Sequence, residues 1–171
     1  MIFVTVGTHE QPFDRLIECV DRLKEDRKIR QDVFIQTGYS QVTPRFCLYE
    51  PLIGFQEMNR KIREAKIVIT HGGPGSIMSA LYSGKIPVVV PRRKEFGEHV
   101  DNHQVLFTKK LEQIRKVIAV YDIEDLEGCL LDYEAAAASL YAQEAGGIDP
   151  TKRVAEFAVS LEVLARRLLE K

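Results

Sequence analysis

At 171 residues, 45% of them hydrophobic, the chain is long enough for one domain with a buried core. A formal net charge of -1 gives no reason to expect a nucleic-acid partner, and no apolar run approaches the ~20 residues of a membrane-spanning helix. The three cysteines, Cys19, Cys47 and Cys129, form no C-x-x-C pair, which suits a reducing compartment, argues against a zinc site and predicts buried or half-buried small apolar residues.

The start, Met1-Ile2-Phe3-Val4-Thr5-Val6, carries neither a basic n-region nor a cleavage site, so a cytoplasmic location is expected. Ile2 to Val6 is a β-branched run that predicts a first strand. Gly7-Thr8 breaks it, and Phe13, Leu16, Ile17, Val20 and Leu23 then recur at helical spacing. Asp21 to Asp32 reads as a charged surface segment, and Asp32 to Gly38 as a second strand ending again in Thr-Gly. Ser40 to Arg45 predicts a loop, Phe46 to Tyr49 a third strand, Ile53-Gly54-Phe55 a turn and Glu57 to Glu64 a short helix.

The next stretch is the richest in chemistry. Ile67-Val68-Ile69 predicts a buried parallel strand, Ile77 to Tyr82 a helix, and Val88 to Val90 the following strand. Between them lie Gly72, Gly73 and Gly75, with Ser76 behind. Glycines let the backbone approach a ligand closely, and a helix start presents unpaired N–H groups and a positive dipole end, so this turn suits a phosphate or diphosphate. It is neither a Walker A loop nor a G-x-G-x-x-G fingerprint; a tight turn with glycines for packing alone is the competing reading. Gly7, Thr8 and His9 fall at the carboxyl end of the first strand, where a doubly wound sheet places its ligand.

After Pro91, the stretch Arg92 to His99 predicts a functional loop, with Arg92 or Arg93 as cationic help and with Glu98 and His99 either near an acceptor or simply solvated. Val100 to Glu112 predicts a helix with Asp101, Asn102, His103 and Gln104 in its first turn. Val117 to Val120 predicts the last strand, followed by a helix from about Ile123 and an alanine-rich helical stretch from Asp132 to Leu140. Gly146 to Pro150 is a break, and Thr151 to Lys171 carries Val154, Phe157, Leu161, Leu164 and Leu168 on one face of a final amphipathic helix. The alternation of strand and helix predicts an α/β fold, a Rossmann-like parallel sheet flanked by helices, organised as a single domain over 1–171 with a core to 130 and a helical extension from 131.

Ile69-Thr70-His71-Gly72-Gly73-Pro74-Gly75-Ser76, Gly84-Lys85-Ile86-Pro87 and Asn102-His103-Gln104 together resemble the nucleotide-sugar half of GT-B glycosyltransferases. The opening from Phe3 to Ile17, with Gly7-Thr8-His9-Glu10-Gln11-Pro12-Phe13-Asp14, narrows the resemblance to the split, two-subunit enzymes. It is similar to the small catalytic subunits of bacterial exopolysaccharide and capsule glycosyltransferases of the PssE type, and to the catalytic subunit of the eukaryotic dolichol-linked N-acetylglucosamine transferase. The resemblance runs from Met1 to roughly Leu111.

What the resemblance implies is a donor-binding catalytic subunit that moves a hexose or hexuronic acid from a UDP-sugar to a polyprenyl-diphosphate-linked acceptor. The acceptor half would be a separate, membrane-associated chain that recruits this one to the inner face of the membrane. The diphosphate would lie among Gly7, Thr8, Gly73, Gly75 and Ser76, with His71 and Gly72 in the same nucleotide-sugar site, and the uracil against the Ile53-Gly54-Phe55 turn. Asn102, His103 and Gln104 would face the donor sugar. Backbone donors and hydroxyls suffice for such a site, and no acidic ligand cluster adjoins the loop, so no metal or other cofactor is expected.

Ser79 stands where related enzymes carry a glutamate for the ribose, and a serine offers one hydrogen bond in place of a bidentate pair. His9, directly after the Gly-Thr turn, is the candidate catalytic residue, as base or as cationic stabiliser, with a structural histidine bonding the turn as the alternative. The general base belongs either to His9 or to the partner chain. A nucleotide-binding module without catalysis is the reading from another class.

Overall fold

The computed structural model describes residues 1–144. The expected break at Gly146 to Pro150 and the final amphipathic helix lie outside the described residues. Six parallel strands form one sheet: β1 (Ile2–Thr5), β2 (Val33–Gln36), β3 (Leu48–Glu50), β4 (Ile67–His71), β5 (Val88–Val90) and β6 (Ile118–Ala119), in the order β3-β2-β1-β4-β5-β6. The connecting helices are α1 (Asp14–Glu25), α2 (Phe55–Glu64), α3 (Pro74–Tyr82), α4 (His103–Gln113), α5 (Leu126–Leu131) and α6 (Tyr133–Glu144).

The β-branched runs become strands because both faces of the sheet are covered, so continuous apolar sequence can be buried on either side. Side chains alternate between the two layers. Val4, Ile35, Ile69 and Val88 pack under Leu16, Ile17 and Val20 of α1, with Leu126, Tyr133 and Ala137 from the later helices. On the opposite face Phe3, Phe34 and Val68 meet Ile62 and Ala80, while Val89 meets Ile77, Phe107 and Leu111. Each such side chain, fully buried, contributes about 1.5–3 kcal/mol. Cys19 and Cys47 are buried and Cys129 half-buried, all as free thiols, as their sequence context indicates.

Several boundaries differ from those expected, each for a local reason. The third strand runs from Leu48 to Glu50 rather than from Phe46, and all of it is exposed as a sheet edge. Helix α2 begins at Phe55, which is therefore the first residue of a helix rather than part of a turn. Helix α3 begins at Pro74 instead of Ile77, because proline's fixed φ and missing N–H suit the first helical position. Helix α4 starts only at His103, with Asn102 at its cap.

The segment from Asp21 is not merely a charged surface. Asp21 lies on the buried face of α1, and its carboxylate accepts the backbone N–H groups of Arg45, Phe46 and Cys47 at 2.8, 2.9 and 3.0 Å. Asp14 does the same for Gln41 and Val42 at 2.8 and 3.1 Å. Two helix carboxylates thus hold the loop before β3, whose donors have no strand to pair with.

Candidate functional site

The strand order reverses direction between β1 and β4, and the turns following these two adjacent strands, at Gly7 and at Gly72-Gly73, flank that point. In an open α/β sheet the crevice outside the carboxyl ends of the strands at such a switch point is where ligands bind. Two of the three glycines there, Gly7 and Gly73, are required by packing around one side chain. His71, buried at the end of β4, wedges between the turns, with its Nδ1 3.4 Å from Thr5 O. A Cβ on Gly7, whose φ is +78°, would lie 2.5 Å from His71 Cε1, and one on Gly73 would lie 2.2 Å from its Nε2. A Cβ on Gly72 would meet Gln104 Cβ at 2.8 Å. His71 therefore shapes both turns.

Gly75 differs from these glycines. Nothing lies within 4 Å of where its Cβ would be, and it is exposed on the first turn of α3, where no side chain caps the helix. The helix start therefore opens to the crevice with its leading N–H groups unpaired within the helix, and half-buried Ser76 stands beside it. Ser79 turns away from this role: its hydroxyl donates to Gly75 O at 2.9 Å.

The Gly7 turn is clamped by Gln36, at the end of β2. Gln36 Oε1 accepts from Thr5 Oγ1 at 2.7 Å and from Gly7 N at 3.2 Å, while its Nε2 donates to Gly7 O at 3.0 Å and to Pro51 O at 2.8 Å. The N–H of Gly7 is thus already engaged. Thr8 is exposed and His9 half-buried beside it.

All four histidines of the chain gather here. The His9 ring lies 4.5 Å from that of His99, which in turn lies edge-on to His103 at 4.5 Å. His9 Nδ1 accepts the N–H of Gln11 at 3.2 Å, so the neutral ring carries its proton on Nε2 and acts outward as a donor. That arrangement suits a stabiliser of developing negative charge better than a base. His103 makes a short hydrogen bond from Nδ1 to Asp101 Oδ1, which also accepts the His103 N–H at 3.0 Å. The backbone donor and the neighbouring imidazole hold the Asp101 carboxyl below the usual carboxylate range.

Asn102 Oδ1 accepts from Lys94 N at 2.9 Å, and Gln104 is buried with its Oε1 accepting from Arg92 N at 3.1 Å. Ile53 is half-buried against the Phe3–Phe34 layer, and Phe55 is 78% exposed, free to meet a planar ring.

Two expectations for the loop after β5 are corrected. Arg92 is not a cation offered to a ligand: it is fully buried, with Nη1 donating to Gln11 O, Pro12 O and Glu98 O at 2.7, 3.2 and 2.9 Å and Nη2 donating to Val6 O at 2.8 Å. Burial pushes its pKa down to about 10, which leaves it charged at neutral pH. Glu98 and His99 are buried rather than solvated. Glu98 receives Arg15 through both oxygens, at 2.9 and 3.1 Å, and the N–H of Arg93 at 2.9 Å. Arg93 itself stays half-buried against Phe96.

The roles of Gln36, Arg92, His99 and Asp101 escape a reading of the sequence. The spacing of His99, Asp101 and His103 at alternate positions was the one available signal for their convergence.

Burial, and then the Arg92 charge, push the His71 imidazole down to about 3, from 6.5 when solvated. Between those values the unfolded chain binds a proton at His71 that the folded chain does not, so stability rises with pH there. Its contribution is complete above about pH 6.5 and is lost as pH falls toward 3. Thermal melts from pH 7.5 down to 4 are expected to show this acid limb, and His71→Asn, which keeps a donor for Thr5 O, is expected to flatten it.

The family model for the glycosyltransferase family 28 C-terminal domain matches residues 1–158. The chain belongs to this family. It is 32% identical over 121 residues to the human UDP-N-acetylglucosamine transferase subunit ALG13, covering 66% of this chain and 10% of that protein. It is 32% identical over 78 residues to the subunit of the same name from Yarrowia lipolytica, covering 44% of this chain and 38% of that protein. The chain thus spans about a tenth and about two-fifths of these relatives.

Among solved structures, the glycotransferase of kitacinnamycin superposes with a TM-score of 0.61 at 16% identity, covering 82% of this chain and 37% of that one. MurG from Acinetobacter baumannii superposes with a TM-score of 0.57 at 18% identity, covering 91% and 48%. At these identities the likeness shows the fold alone, the Rossmann-like parallel sheet of one half of a GT-B fold. Among the described residues, no helix is long and apolar enough to cross a membrane.

Proposed function

We propose that this family member is the donor-binding, catalytic subunit of a two-component inverting glycosyltransferase, transferring a sugar from a UDP-sugar to a polyprenyl-diphosphate-linked acceptor. The observation that carries the reading is the open start of α3 at the β1–β4 switch point. There the Gly75 and Ser76 N–H groups and the helix dipole face a crevice able to take a diphosphate. The donor diphosphate lies between that helix start and the Thr8–His9 turn, with the base stacked on Phe55. Asn102, His103 and Gln104 border the sugar.

Charge on the departing diphosphate is met by the helix start and by the His9 Nε2–H, so the transfer step needs no metal. The acceptor hydroxyl must still lose a proton; the His9 Nδ1 lone pair accepts the Gln11 N–H, which supports a base on a partner chain that also holds the lipid-linked acceptor. Such a partner would bring the subunit to the cytoplasmic face of a membrane. The names of the two relatives favour N-acetylglucosamine as the transferred sugar. A hexose or hexuronic acid, moved in exopolysaccharide or capsule assembly, is the second reading, carried by the opening motif from Phe3 to Ile17.

The test is co-expression with candidate membrane subunits and assay of transfer from a panel of UDP-sugars to a polyprenyl-diphosphate-linked sugar. Turnover that requires both chains is expected. UDP binding without turnover under any pairing would leave a nucleotide-binding module and contradict the catalytic assignment.

A further inference from the structure

His99, Asp101 and His103 bring two imidazoles and a carboxylate together at the entry to α4, their ligand atoms all within 4.8 Å of one another. We infer that these three side chains form a binding site for a divalent ion of borderline softness, zinc above all. That these side chains bind an ion rests on the ligand set alone; only the effect of the ion on donor binding rests on the glycosyl-transfer reading.

The chemistry of the donors selects the ion. Two imidazoles suit zinc, cobalt or nickel, whereas magnesium and calcium take oxygen donors, of which only one is present here. A tetrahedral ion with bonds of about 2.0–2.1 Å places neighbouring ligand atoms roughly 3.4 Å apart. His99 Nδ1 and Asp101 Oδ1 already stand at 3.4 Å, and the ion would displace the Asp101 N–H that His99 Nδ1 accepts at 3.4 Å. The closer His103–Asp101 pair opens onto an ion by a shift of the His103 ring, which is partly exposed at 35%.

Three protein ligands leave a fourth tetrahedral position for an exchangeable group such as water. Thiols are poor competitors for the ion. Burial pushes Cys47 up to about 12 and Cys129 up to about 11, and raises Cys19 as well.

An occupied site would tie the loop after β5 to the first turn of α4. It would also take His103 out of reach of any donor sugar, so the ion regulates binding rather than carrying out transfer.

Cobalt is the probe. Titration of the chain with Co2+ is expected to give one equivalent of bound ion with the intense visible absorption of tetrahedral cobalt and no thiolate charge-transfer band, and Zn2+ is expected to displace it. Asp101→Asn and His103→Gln are each expected to weaken binding at least tenfold. Melting curves without metal identify any variant that fails to fold, and Asp101, 56% exposed, is a position where folding survives the change. A cobalt spectrum that stays that of the aqueous ion would overturn the site, as would variants that bind as tightly as the parent or a spectrum with thiolate bands. UDP titration of the metal-free chain is scored separately, so failure of the metal site and failure of the donor site are distinguishable.

Discussion

Arg92→Met is expected to lower stability by about 3–5 kcal/mol, or roughly 10 °C in melting temperature for a domain of this size. The guanidinium joins three segments that no strand or helix connects: the Gly7–Pro12 turn through Val6 O, Gln11 O and Pro12 O, the β5 exit that carries it, and the Glu98 carbonyl. Methionine fills much of the volume over the Phe13 ring, which lies 4.9 Å from the charge, yet leaves these carbonyls without their donor. An orphaned buried acceptor costs about 1–3 kcal/mol, so the sum exceeds that of an ordinary surface change several times over. Lysine is a poor substitute, since one ammonium cannot span the directions that the planar fork reaches. Urea unfolding of the two variants measures this. A loss under about 1 kcal/mol would mean that the loops hold their shape without Arg92.

Gly73→Ala is the second large effect. Its backbone, at φ -75° and ψ 128°, accepts alanine without strain, so the whole penalty is steric. The new methyl would stand 2.2 Å from His71 Nε2. The ring cannot swing away, because Gly7 confines it from the other side and Thr5 O fixes its Nδ1. Overpacking of this kind costs about 1–3 kcal/mol, with this contact at the upper end. A double-mutant cycle isolates the cause: in a His71→Ala background the same substitution is expected to cost less than about 0.5 kcal/mol. Equal costs in both backgrounds would show that the glycine serves something other than room for the ring.

The pattern of these effects explains what the sequence made legible. The runs at Ile2, Val33, Ile67 and Val88 could be read as strands because each is β-branched, short and bounded by turn residues, and the glycine loop announced that a helix follows it, though not that the helix begins at Pro74. Family membership was likewise legible, since its motifs are local.

What was hidden depends on pairs far apart in the chain. Asp21 looked like one charge among many, and only the return of Arg45 to Cys47 beneath α1 gives it three partners. Arg92 has the composition of a phosphate ligand, and its conversion into a buried clamp follows from the approach of a turn about 80 residues earlier. Gln36 read as one more residue within a strand, and its grip on Gly7 exists only because β2 lies beside β1. His9 and His99 could each be judged only singly until the sheet brought both to the same rim.

The assignment of the α3 start as the diphosphate site has one direct test, calorimetric titration of Gly75→Asp with UDP alongside the parent chain. An aspartate there meets open space and sits in the first turn of a helix, where negative charge is favourable, so melting temperature is expected to stay level or rise. The same carboxylate would oppose the diphosphate, and UDP affinity is expected to fall at least about 100-fold. A folded Gly75→Asp chain that binds UDP as the parent does would place the diphosphate elsewhere and contradict the account.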